Sequence, residues 1–427
     1  MTERLPGFST LSIHAGAQPD PTTGARATPI YQTTSFVFND ADHAASLFGL
    51  QAFGNIYTRI GNPTNAVLEE RVAALEGGTA ALAVASGHAA QLVTFHALLQ
   101  PGDEFIAARR LYGGSINQFN HSFKNFGWNV VWADTDDVST FEKALTPKTK
   151  AIFIESIANP GGTVTDIEAI AAIARKAGVP LIVDNTLASP YLVKPIDHGA
   201  DIVLHSATKF LGGHGNSIGG IIVDAGTFDW SRDGRYPVLS EPRPEYHGIK
   251  LQETFGNFAF AIAARVIGLR DLGPALSPFN AFLILTGIET LGLRVQRHSD
   301  NAKAVAEWLS AHPAVAWVSY AGLPGDRYHN LARKYSPKGA GAVFTFGLKG
   351  GYDAGINLVS NVKLFSHLAN VGDTKSLVIH PASTTHRQLS DEQKVAAGAG
   401  PDTVRLSVGI EDVNDIVADL EQALAKV

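Results

Sequence analysis

Between residues 81 and 224 the chain repeats one pattern: a short apolar run, a turn, and often a stretch with helical spacing. "ALAVAS" (81–86) leads straight into the helix-like "GHAAQLVTFHALL". "DEFIAA" (103–108), "NVVWAD" (129–134), "AIFIES" (151–156), "PLIVDN" (180–185), "ADIVLHS" (200–206) and "GGIIVD" (219–224) follow. Runs this short and this uniformly apolar suit strands buried on both faces. Their alternation with helices predicts an α/β fold around a mainly parallel sheet with right-handed crossovers. In the clearest unit, "TDIEAIAAIARKAG" places Ile167, Ile170, Ala174 and Ala177 on one helical face, with Thr165 as the expected cap and Gly178 as the stop.

The flanks read differently. Residues 1–60 are rich in Pro, Thr and Gly and are expected to form an irregular arm. Residues 61–285 are expected to form the large domain, with a long aromatic and proline-bearing excursion at 225–256. Strand runs "AVFTFGL" and "VRLSVG" mixed with helical patterns predict a smaller α+β domain over 286–427.

Composition narrows the function classes. Of the 427 residues, 45% are hydrophobic and 17% charged, as expected for a globular chain with sizeable cores. A net charge of -6 gives no electrostatic case for nucleic acid or an anionic membrane. No apolar run reaches the roughly 18 residues that a membrane span needs. The N-terminal stretch lacks the basic-then-apolar pattern of a signal peptide, so the expected location is cytoplasmic. Cysteine is absent, which removes disulfides, thiolate metal sites and a Cys nucleophile together.

Ligands of open α/β sheets sit outside the carboxyl ends of the strands. Those ends carry three features. Ser86, Gly87 and His88 join a strand to a helix, where backbone N–H groups and the helix dipole make an anion site. Asp184 ends one strand, and Ser206, Thr208 and Lys209 follow another. Singly, each has a plain structural reading: a turn, a cap, a solvated lysine. Together they meet what pyridoxal 5′-phosphate demands. That cofactor needs an amine for a Schiff base, donors for its phosphate, and a carboxylate to keep its ring nitrogen protonated. Lys209 would then also serve as the base that moves protons.

The stretch "DIVLHSATKFLGGHG" resembles the lysine signature of the Cys/Met-metabolism family of fold type I PLP-dependent enzymes. Six further blocks in the same order carry the resemblance: "YTRIGNPT", "ASGHAA", "LYGGS", "ESIANPGG", "VDNTLASPY" and "RLSVGIED". It implies that Tyr57 and Arg59 reach the phosphate of a neighbouring subunit, with Gly87, His88, Ser206 and Thr208 completing that site. It further implies that Tyr112 stacks on the cofactor and assists proton transfer, Asp184 pairs with the ring nitrogen, and Lys209 forms the covalent link. Arg405 is implied to bind the substrate carboxylate, with Asn159 and Ser383 beside it. A site built from two chains implies a homo-oligomer, a dimer of dimers by family analogy.

Within the family, the length, the excursion, "LYGGSINQF" and "SLVIHPASTTHRQL" look most like the O-acetylhomoserine sulfhydrylases. The implied reaction is a γ-replacement that takes O-acetyl-L-homoserine and sulfide to L-homocysteine and acetate. Cystathionine γ-synthases and cystathionine or methionine γ-lyases share the same apparatus and are the alternative. A more distant one comes from "GNSIG" (215–219), which fits the G-x-S-x-G of hydrolases with Ser217 as nucleophile, although an apolar strand run follows where a helix is required. No G-x-G-x-x-G stands between a strand and a helix. His198, His205 and His214 fit no single helical face or usual ligand spacing, so no metal site is expected.

Overall fold

The computed structural model describes residues 6–427 except 386, 388, 389, 391, 393 and 395–397. Strands β1 (Ala80–Val84), β2 (Glu104–Ala108), β3 (Asn129–Ala133), β4 (Thr149–Glu155), β5 (Ile157–Ala158), β6 (Thr163–Val164), β7 (Leu181–Asp184), β8 (Ile202–Ser206) and β9 (Gly220–Asp224) come first in the chain. Seven of these form one sheet in the order β1-β9-β8-β7-β4-β2-β3, while β5 and β6 pair separately. From β8 through β3, neighbours run parallel. Strand β9 alone is reversed, antiparallel to both β8 and β1. The cause is the connection. A parallel partner needs a crossover, whereas residues 207–219 return as a loop that allows only an antiparallel one.

The predicted strand runs match the observed strands to within a residue or two, because both faces of this sheet are covered. On one side Phe95, from the helix Gly87–Leu98, packs on Phe105 of β2 with ring centroids 4.3 Å apart. Phe119, Phe123 and Phe153 close the same fully buried cluster.

Two expectations are corrected. The helix Ile167–Ala177 is capped by Asp166, whose carboxylate accepts the Ala169 N–H at 3.4 Å, while the Thr165 hydroxyl donates to the Glu155 carbonyl at 2.7 Å. An Asp one position closer to the helix reached the free N–H groups first. Gly178 ends the helix in the left-handed conformation as expected. Residues 6–60 are also more regular than the irregular arm expected. They hold the helices Phe8–His14 and Ala41–Phe48, the second capped by Asp40 accepting from the His43 N–H at 2.7 Å.

Residues 225–256 fold into short helical turns anchored by buried Trp230 and Tyr236, which pack on each other and on Phe228, Trp230 also stacking on Phe260. Beyond the long helix Leu291–Ala311 lie β10 (Val315–Ser319), β11 (Val343–Leu348), β12 (Ser366–His367), β13 (Leu377–Ile379) and β14 (Thr403–Ser407). They form a smaller sheet in the order β10-β11-β14-β13-β12. Arg405 lies on its central strand, paired with Thr345 of β11 and Ile379 of β13. Among the described residues no helix is long and apolar enough to cross a membrane.

Candidate active site

The carboxyl ends of β1, β4, β7 and β8 open into a cavity of about 280 Å³, closed from the other side by Arg405 and residues 369–371. Ser86 caps the helix Gly87–Leu98, its hydroxyl accepting the Ala89 N–H at 3.1 Å. In a helix the N–H groups of Gly87 and His88 have no intrahelical acceptor, and they belong to the residues that line this cavity. Two glycines make the approach possible. A Cβ on Gly87 would stand 2.9 Å from the Ser206 Cβ, and one on Gly220 would stand 2.0 Å from the Ser86 carbonyl oxygen. The ends of β1 and β8 and the start of β9 therefore converge on one point.

Asp184 accepts the Thr186 N–H at 3.0 Å, and the Thr186 hydroxyl accepts the Ser206 N–H at 2.8 Å. Burial raises the Asp184 carboxyl above its ordinary range, partly offset by the bonds from Thr186. On the next strand, Glu155 stands directly across from Asp184 in register. Burial, and then the Asp184 charge, push it up to about 8. Glu155 was missed in the sequence, although the strand-end rule that selects Asp184 selects it equally.

Lys209 sits in the loop after β8, and its amine donates to the Asn370 Oδ1. Burial, and then the charge of Arg405, lower its pKa and favour the neutral amine that attacks an aldehyde. Arg405 donates to the Asn159 Oδ1 at 2.9 Å and to the Asn370 carbonyl at 3.2 Å. Burial depresses its pKa to about 10, and among the described residues no carboxylate pairs with it. A buried guanidinium facing a cavity without a counter-charge is prepared for an incoming carboxylate. Tyr112 borders the same space, half exposed, with its ring 5.9 Å from that of His88.

Four expected residues have other partners or places. Thr208 lines the cavity, but its hydroxyl bridges the Gly219 N–H (3.1 Å) and carbonyl (3.3 Å), closing the lysine loop. Ser383 is turned to His380, 3.0 Å from its Nδ1, while Thr385 borders the cavity. Tyr57 and Arg59 line a separate surface cleft, where the Arg59 guanidinium donates to the Arg270 carbonyl. Ser217 donates to the Asn280 carbonyl at 3.3 Å and leads into β9, so the strand–turn–helix of a nucleophile elbow is not formed. His198, His205 and His214 go to separate partners: Glu168, Glu76 and the Gly212 carbonyl.

Asn370 and Arg294 carried no signal in the sequence. Arg294 donates to the carbonyls of Phe210 (3.0 Å), Leu211 (3.3 Å) and Gly287 (2.6 Å), and so fixes the strand-to-strand loop next to Lys209.

An amine with a lowered pKa, a buried carboxylate and a helix start sharing one cavity fit pyridoxal phosphate. The fold and this site define a fold type I PLP-dependent enzyme. The family model for Cys/Met metabolism PLP-dependent enzymes matches residues 9–425, and the chain belongs to that family. It is 53% identical to an O-acetyl-L-homoserine sulfhydrylase of Leptospira meyeri, over 98% of this chain and 96% of the relative. It is 54% identical to O-acetyl-L-homoserine sulfhydrylase 1 of Thermus thermophilus, over 98% and 100%. A crystal structure assigned to an O-acetylhomoserine (thiol)-lyase of Campylobacter jejuni, containing N′-pyridoxyl-lysine-5′-monophosphate, superposes with a TM-score of 0.95. It is 40% identical, over 98% of this chain and all of that one.

Proposed function

We propose that the protein is an O-acetyl-L-homoserine sulfhydrylase, replacing the γ-acetoxy group with sulfide to give L-homocysteine and acetate, a step of methionine biosynthesis. Relatives above 50% identity over nearly their whole length support this reading. The observation that carries it is the pairing of a Lys209 amine biased towards neutrality with an uncompensated buried Arg405 in one cavity.

Pyridoxal phosphate, held covalently by Lys209, supplies the electron sink that makes the substrate's Cα and Cβ protons removable. Asp184 keeps the ring nitrogen protonated, its own burial penalty offset by that cation. Gly87, His88 and Ser206 hold the phosphate with backbone and hydroxyl donors, and Thr208 shapes the loop around it. Arg405, steadied by Asn159, grips the substrate carboxylate, with Ser383 two residues before Thr385 at the rim of the cavity. With substrate bound, the Lys209 amine would be the base that takes the proton from Cα and serves Cβ as well. Tyr112 covers the cofactor face and shares in proton transfer. Acetate leaves from Cγ and hydrosulfide adds there.

Tyr57 and Arg59 serve the phosphate of a second copy. Their distance from the cavity of their own chain supports this, as do Val37 at 97% and Phe53 at 76% exposure in the same arm. We assign a homodimer at least, paired into a tetramer, working in the cytoplasm. The large domain runs over 61–285 and the small one over 286–427.

The test is one assay on purified protein. The visible spectrum is recorded, then homocysteine is measured from O-acetylhomoserine with sulfide, with cystathionine and methionine run in parallel. Homocysteine from the first pair alone supports the reading. Ammonia and a keto acid from the other substrates would transfer the protein to the γ-lyases.

A further inference from the structure

Glu155 ends β4 in the floor of the cavity, and its backbone is fixed by the Thr165 hydroxyl on its carbonyl. Its side chain is 5% exposed, and its two oxygens are divided between two loops. Oε1 accepts the N–H of Tyr112 at 2.7 Å, and Oε2 accepts the N–H of Asn159 at 3.0 Å. Tyr112 opens the short helix Gly113–Asn117 beyond β2, whereas Asn159 follows β5. One carboxylate thus ties together two segments that approach the cavity from different strands. The connection continues, because the Asn159 Oδ1 receives the Arg405 guanidinium at 2.9 Å.

We propose that Glu155 is a positioning residue for the reaction: its carboxylate fixes the backbone at Tyr112 and Asn159, and through Asn159 it aims Arg405 at the substrate carboxylate. This rests on the assignment of Arg405 to substrate and extends it one residue back into the fold. The donor set explains why a carboxylate is required. Both partners are N–H groups pointing inward, and a carboxyl presents an oxygen acceptor to each of them, whereas an amide presents only one. A glutamine would turn its NH₂ against one of them and leave a buried donor unpaired. The cost of a second buried carboxyl beside Asp184 is visible in its displacement to about 8. Ordinary packing would not select such a group; two fixed N–H donors do.

The experiment uses purified holoenzyme carrying Glu155→Gln, Glu155→Asp or Arg405→Gln. For each, kcat, KM for O-acetylhomoserine, KM for sulfide, bound cofactor and the visible spectrum are measured. Glu155→Gln should keep its cofactor and raise KM for O-acetylhomoserine about tenfold or more, as leaving a buried N–H donor unpaired does. KM for sulfide should move less than about twofold, since a small nucleophile is not held by Arg405. If Glu155→Gln does not assemble, Glu155→Asp carries the same readout, because the shorter side chain reaches one N–H at most. A raised KM in Arg405→Gln with unchanged KM in the Glu155 variants overturns the inference while leaving the Arg405 assignment intact. An unchanged KM in Arg405→Gln overturns that assignment, and the inference with it.

Discussion

Arg294 reaches from the long helix Leu291–Ala311 to the carbonyl of Phe210, 3.0 Å away and one residue beyond Lys209. With two further carbonyls it closes a buried fan of acceptors, and a Cβ on Gly213 would meet its guanidinium at 2.0 Å. Arg294→Met keeps much of the volume and removes every donor. The Gly287 carbonyl keeps its bonds from Thr290, while the orphaned carbonyls of Phe210 and Leu211 cost about 1–3 kcal/mol each, so a loss of roughly 2 kcal/mol or more is expected. Denaturant unfolding of the cofactor-free protein measures it, and an unchanged midpoint would show that the fan contributes nothing.

Gly87→Ala addresses the anion site. The added methyl would press on Ser206 at 2.9 Å and push the helix start away from the end of β8. Cofactor affinity should fall by about tenfold or more, the equivalent of one good hydrogen bond, with the fold retained. Equilibrium dialysis against free cofactor gives the number.

Asp184→Asn separates electrostatics from shape. The amide still accepts from the Thr186 N–H but carries no charge for the ring nitrogen. Turnover should drop by about 10²–10³, the usual scale for a lost preorganised charge, while KM changes little. A variant with ordinary kcat would remove Asp184 from the reaction.

The contribution of Asp201 to stability should fall as pH rises from 4 to 6. Burial raises the Asp201 carboxyl to about 6 from 3.8, partly offset by the Leu181 N–H it accepts at 2.8 Å. A raised acid binds its proton more tightly when folded, so its contribution is complete below the unfolded pKa and is lost on passing the folded one. Asp201→Asn keeps the acceptor and cannot ionise. Its stability relative to the parent should climb across that window and level off at a gain on the order of 1–3 kcal/mol. Urea midpoints at stepped pH test this, and a flat difference would refute it.

The parallel strands were legible because most of their residues are buried on both faces, so each run is largely apolar; only the edge strand β3 is half-buried over most of its length. The reversal of β9 was not, since "GGIIVD" has the same composition whichever way it runs; the direction is set by the loop before it. In the site, Lys209, Asp184 and Gly87 were readable because a strand end is a local feature. Arg405 came only through resemblance. Asn370 and Arg294 act on the lysine segment from parts of the chain far along the sequence, one in a loop and one among the polar residues of a long helix. Nothing in their neighbours marks them. The Thr165–Asp166 exchange at the helix start shows the resolution of such reading: two adjacent residues of capping type, told apart only by where the first turn begins.

The reversed strand also orders events. The helix start at Gly87 follows β1 and the lysine follows β8, yet β1 and β8 never touch; β9 lies between them and bonds to both. Within the sheet the two halves of the cofactor pocket are joined only through β9, and its pairing with β1 closes a long stretch of chain, the kind of contact that forms late. Capture of the coloured cofactor therefore works as a report on the sheet: a chain that turns yellow has β9 joined to both β1 and β8.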